Sequence, residues 1–151
     1  MAGLLSEDQD CPSKLTITAG EMKVLSDERA DEQQWQNLSL QLTSGKRAVE
    51  TSANEDVMLC RSPTDEIDTL LFGLEELLHK KRAEVLFEPS EPSFELSFIR
   101  TQRGGIKVEV WLDAGNGETG IYTWDACGIR FYTNDANIRS FIDELSEEFG
   151  I

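Results

Sequence analysis

Between Phe94 and Leu112 the apolar side chains fall at every second position on both sides of a Gly104-Gly105 pair. Phe94, Leu96 and Phe98 alternate with Glu95 and Ser97; Ile106, Val108, Val110 and Leu112 alternate with Lys107, Glu109, Trp111 and Asp113. A period of two belongs to a strand with one buried face, and the glycine pair supplies the reversal between strands. The segment therefore commits the chain to neighbouring antiparallel strands, and other elements must cover their apolar face.

The same signature recurs upstream. Leu15 and Ile17 alternate with Thr16 and Thr18, and after Ala19-Gly20 the stretch Glu21 to Leu25 alternates again, which predicts an early strand pair turning at Gly20. From Trp35 onward, Leu38, Leu40 and Leu42 share one face, Gly45 permits a turn, and Arg47 to Asn54 continues as a polar strand. Val57 to Cys60 is a short apolar run compatible with either helix or strand. Ala83 to Phe87 reads as a strand, and Pro89 and Pro92 impose an extended connection after it. The sequence AGNGETG forms a hairpin loop, and Gly120 to Thr133 is a long strand with a bulge or bend expected at Gly128. Residues 1–13 are polar and contain Pro12, so a loose arm is expected there, leading into one ordered domain over 14–151.

Two segments are helical instead. Ser62 offers an N-cap oxygen, Pro63 suits the first helical position, and Ile67, Leu70, Leu71, Leu74, Leu77 and Leu78 recur at helical spacing. Asp65 and Glu66 favour the positive end of that helix dipole, with His79, Lys80, Lys81 and Arg82 in its last turn. The closing helix takes Thr133 or Asn134 as its cap and Ile138, Phe141, Ile142, Leu145 and Phe149 as its apolar stripe. Runs of strands interrupted by two amphipathic helices, without regular βαβ alternation, predict an α+β fold: a mostly antiparallel sheet with both helices packed on it.

Charge narrows the function classes. The chain has 151 residues, with 29 acidic against 14 basic and a formal net charge of −15. Such a field repels nucleic-acid phosphates and anionic membrane surfaces and favours a basic protein partner. MAGLLSEDQD has neither the basic nor the apolar part of a secretion signal, and Cys11, Cys60 and Cys127 fit neither a disulfide framework nor a zinc cluster. The expectation is a cytoplasmic protein without metal or cofactor.

Catalytic constellations are poorly represented. His79, the sole histidine, follows a leucine stripe among Lys80, Lys81 and Arg82, where a helix terminus accounts for it. Cys60 and Cys127 sit in apolar strand-like surroundings, and Gly115-Asn116-Gly117 is not followed by the helix that a phosphate cradle needs. Asp113 and Asp125 could face each other across a hairpin, the one opening for a carboxylate-dependent hydrolase. Trp111, Tyr122 and Trp124 are more informative, because Val110, Leu112 and Ile121 already fill the core-facing parity of their strands. The three rings then share the opposite face with Glu95 and Glu109, a mixture suited to partner binding. The alternative is that other segments cover these rings as a second small core.

The segments FEPSEPSFELSF, GGIKVEVWLD and YTWDACGIRFYTNDANIRSFIDEL resemble the C-terminal two thirds of WapI-type immunity proteins of bacterial polymorphic toxin systems. The shared elements run from about Ser62 to Glu148: an amphipathic helix, a strand entering an E-P-x-E-P connection, paired strands, and a closing helix. The resemblance implies a non-enzymatic cytosolic antidote, encoded beside a toxin, that binds it and blocks its active site or substrate groove. The chain's acidity suits a nuclease target with a basic cleft. An acidic adaptor or ligand-binding domain without a toxin partner is the competing reading, and a small hydrolase the third.

Overall fold

A computed structural model describes residues 1–25, 33–51, 59–61, 63–89, 94–113 and 126–151. The fold is α+β, with two helices and two antiparallel sheets. In the first sheet, β1 (Ala2–Leu5), β2 (Ser13–Leu25), β3 (Gln33–Ser44) and β4 (Arg47–Thr51) follow one another in order, and β5 (Leu59–Arg61) pairs with the start of β3. Helix α1 (Pro63–Leu78) leads into the second sheet, β6 (Glu84–Phe87), β7 (Phe94–Arg100), β8 (Ile106–Asp113) and β9 (Ala126–Thr133), also in sequence order; α2 (Asp135–Phe149) closes the chain.

Each sheet buries the face that alternation assigns to the core. Leu4, Leu15, Ile17, Leu38, Leu40 and Leu42 are buried on the first, and Leu96, Phe98, Ile106, Val108 and Val110 on the second. These join Ile67, Leu70 and Leu74 of α1 and Ile138, Phe141 and Leu145 of α2 in one buried cluster. Chain order thus divides the predicted sheet in two, with the helical stripes in a core shared by both.

Several local expectations are corrected. The loose arm expected over 1–13 contains β1, whose Ala2 and Leu4 are completely buried and whose register against β2 runs from Ala2↔Ile17 to Leu5↔Lys14. Four residues carry too little periodicity to announce a strand, and pairing with β2 supplies what local sequence lacks. Gly20 is not a turn but part of an irregularity within the single long strand β2, where the register against β3 shifts between Ala19 and Met22. A Cβ there would approach the Cβ and carbonyl oxygen of Asn37 at 3.0 Å, a crowding that favours glycine in the bulged strand.

The cationic run also lies elsewhere. Helix α1 ends at Leu78 with no basic residue in its last turn, and His79 to Arg82 follow it. Lys80 takes φ 59° while its N–H donates to Leu77 O and the Lys81 N–H to Glu76 O, a Schellman stop built without glycine. Arg100 completes that end: its Nε and Nη2 donate to Leu77 O at 3.2 and 2.8 Å, and Nη2 also reaches Asp135 Oδ1 at 2.9 Å in the first turn of α2. One guanidinium therefore adds charged donors to a carbonyl at the negative end of α1 and places an anion-linked cation between the two helices.

Helix α2 follows its sequence signals closely. Asn134 is the cap, its Oδ1 accepting from Asn137 N at 3.0 Å, and Gly150 at φ 68° ends the helix. Thr133, the other candidate cap, is fully buried and donates its hydroxyl to Leu5 O at 2.6 Å. Glu144 accepts the Gly3 N–H at 2.8 Å and Glu148 the Ala19 N–H at 2.9 Å, so carboxylates of α2 occupy backbone donors along β1 and β2. Among the described residues, no helix is long and apolar enough to cross a membrane. Ser62, the proposed cap of α1, and the AGNGETG loop lie outside the described residues.

Candidate partner-binding face

The faces turned away from the core differ in chemistry. On the first sheet that face carries Lys14, Thr16, Thr18, Ser39, Gln41 and Thr43, with Leu5 at its margin. Short hydroxyl and amide side chains dominate it, a composition typical of a solvated sheet face. On the second sheet the corresponding face presents Trp111, Tyr132 and Leu86 at 38%, 50% and 62% exposure. Exposed large apolar side chains distinguish an interface from a solvated face, and here they stand at separate points of it, Leu86 on the edge strand β6, Tyr132 on the opposite edge strand β9 and Trp111 on β8.

Register arranges this face in rows. Leu86, Ser97, Glu109 and Arg130 are successive cross-strand partners from β6 to β9; Glu84, Ile99, Lys107 and Tyr132 form the adjacent row. On the other side lie Glu95, Trp111 and Gly128. Glu95, Glu109 and Trp111 therefore share one face, as alternation requires, whereas Tyr122 and Trp124 lie outside the described residues, as does Asp125 of the carboxylate pair. Leu86, Arg130 and Tyr132 were missed by the sequence reading. Parity could have found Tyr132, because its neighbour Phe131 belongs to the core.

Gly128 is not a bulge. The β8–β9 register runs without interruption from Ile106↔Thr133 to Asp113↔Ala126. What fixes glycine is the neighbouring strand: a Cβ on Gly128 would fall 2.2 Å from the Val110 carbonyl oxygen and 2.7 Å from Trp111 Cε3. The Trp111 ring is thus seated against bare backbone, which holds one side of it while the residue as a whole stays partly exposed. Gly128→Ala is expected to cost about 1–3 kcal/mol of folding stability through overpacking, read from a denaturant titration monitored by tryptophan fluorescence. An unchanged midpoint would mean that the Val110 backbone and the ring both yield without cost.

Glu109 has its charge engaged on the sheet itself. Partial burial works against its ionised form, but hydrogen bonds and Coulomb attraction, from Arg130 first and then Lys107, outweigh it and hold the carboxyl below its ordinary value of 4.5. Arg130 Nε donates to Glu109 Oε1, and Lys107 Nζ lies 3.3 Å from the same oxygen. Because the folded value is depressed, the unfolded chain protonates first as the pH falls. The stabilisation is present above about 4.5 and disappears as the pH drops through the folded value. Glu109→Gln should therefore lower stability at neutral pH by at most about 1 kcal/mol, Arg130 being well exposed, and by progressively less in acid. Chemical denaturation of both proteins from pH 7 to pH 3 checks this, and a difference that persists undiminished in acid would contradict the ion-pair account.

Comparison with known proteins adds one positive result. No curated protein matches the chain. A family model, by contrast, aligns with residues 7–150, extending well upstream of the helix at which the sequence resemblance starts and covering both helices and every described strand except β1. The chain belongs to the immunity protein WapI-like family.

Proposed function

We propose that this protein binds and neutralises a cognate bacterial toxin, using the outer face of the second sheet as its contact surface. The observation that carries the choice of face is that Trp111, Tyr132 and Leu86 are all exposed on it, arranged around the ion pairs of Glu109 with Arg130 and Lys107. Membership in an immunity protein family supports the toxin as partner. In this reading Trp111 is the anchor, Glu95 lies beside it, and Glu109 keeps Arg130 and Lys107 ordered at the centre of the patch. Tyr122 and Trp124 belong to the same proposed surface by strand parity.

The toxin is proposed to be a nuclease. A net charge of −15 complements a basic nucleic-acid cleft and accelerates encounter with it, while close apolar contacts govern the lifetime of the complex. Inhibition is by occupation and not by chemistry on the toxin, and it takes place in the cytoplasm. Co-expression with the toxin encoded beside this gene tests the proposal: cells should survive and the two chains should copurify. Continued killing, with the antidote expressed and folded, would refute it.

A further inference from the structure

The two carboxylates on the outer face of the second sheet are not equivalent. Glu109 is already held by Arg130 and Lys107. Glu95 sits directly across from Trp111 in the β7–β8 register, is partly exposed, and has no ion-pair or hydrogen-bond partner among the described side chains. The segments adjoining this row in sequence, 90–93 and 114–125, contain no lysine or arginine. Directly opposed side chains on one sheet face have Cβ atoms about 4.5–5.5 Å apart, so an anion and an indole face the same small volume. The ring is backed by Gly128 on its other side.

We infer that the row Glu95–Trp111 is a receptor for an arginine side chain of the partner. A guanidinium meets both requirements at once: its planar face stacks on the indole and its N–H fork donates to the carboxylate. An ammonium satisfies the charge but not the stacking, and a neutral side chain of the same shape satisfies neither the cation–π attraction nor the ion pair. Binding gives Glu95 a cation that the described residues do not supply, whereas Glu109 offers no such gain. Seating the ring on Gly128 in the free protein also means that little ordering has to occur on contact. The inference rests on the toxin-binding reading of this face and names the chemistry that its centre recognises.

The test uses the free, full-length protein labelled with nitrogen-15 and three small probes: N-acetylarginine amide, N-acetyllysine amide and N-acetylcitrulline amide. The arginine probe should saturably shift the Trp111 indole N–H and the Glu95 amide, the lysine probe should bind about five-fold or more weakly, and citrulline should leave both unmoved. Glu95→Gln and Trp111→Ala, each confirmed as folded by its thermal transition, should each weaken the arginine response by about five-fold or more. An equal response to citrulline, an undiminished response in Glu95→Gln, or shifts confined to other residues would overturn the assignment. Failure here is separable from failure of the toxin reading. A toxin complex that weakens in Trp111→Ala while no probe binds refutes the arginine receptor alone, and a probe that binds while a still-bound toxin ignores both substitutions refutes the contact face, and with it the partner's arginine, but not toxin binding itself.

Discussion

Leu74→Ala should destabilise the protein by about 2–5 kcal/mol, because the side chain removed is completely buried and the cavity it leaves has few ways to collapse. Its position makes the upper half of that range reasonable. Leu74 belongs to a cluster that unites both helices and both sheets, so neighbours cannot close the gap without moving elements fixed elsewhere by strand pairing. Equilibrium denaturation reads the effect directly. The same variant, under conditions where it remains folded, should bind the toxin normally. Native stability together with lost binding would turn the leucine stripe of α1 from core into interface.

Trp111→Ala should do the reverse. Its indole is the anchor of the proposed contact face, and truncation of a central aromatic typically costs at least about 2 kcal/mol of affinity, near thirty-fold in Kd. The loss should appear as faster dissociation with little change in association, since the substitution removes close contact and not charge. Folding stability should fall by less than in Leu74→Ala, because the residue is 38% exposed. Surface-based kinetics with the purified toxin separates the two rates. Wild-type binding by a folded Trp111→Ala protein would move the contact surface elsewhere: to the acidic segment 26–34, of which 26–32 lie outside the described residues, or to the exposed Asp143 and Glu147 of α2. Glu144, the third residue of that alternative helix face, is already engaged by the Gly3 N–H.

What could be read in the sequence follows the range of the interactions involved. Alternation over Phe94 to Leu112 and the stripe of α2, with Asn134 as one of its two candidate caps, are encoded within a few residues, and both were legible. Partner choice between strands is not local. Nothing in Ala2–Leu5 announces a strand, and nothing in β5 or β6 states which sheet each joins, so the division into two sheets became visible only in the pairing.

Glycines show the same limit. Gly20 and Gly128 both marked irregular points, yet the first accommodates a bulge facing Asn37 and the second an indole from the neighbouring strand. Parity placed Glu95, Glu109 and Trp111 together but could not show that Glu109 is already paired while Glu95 has no partner among the described residues. Arg100's role between the helices was invisible for a similar reason, because the acceptors it joins there, Leu77 O and the Asp135 carboxylate, are both remote in sequence.

Titrating the activity of the purified toxin with the purified protein tests the central claim most directly. A neutralising partner that acts by occupation should lower the toxin's activity in proportion to the amount added and abolish it at one molar equivalent when the toxin concentration is well above Kd. Full activity at a large excess would contradict toxin binding as the function, and complete silencing at a small fraction of an equivalent would show turnover by an enzyme in place of occupation by a binding protein.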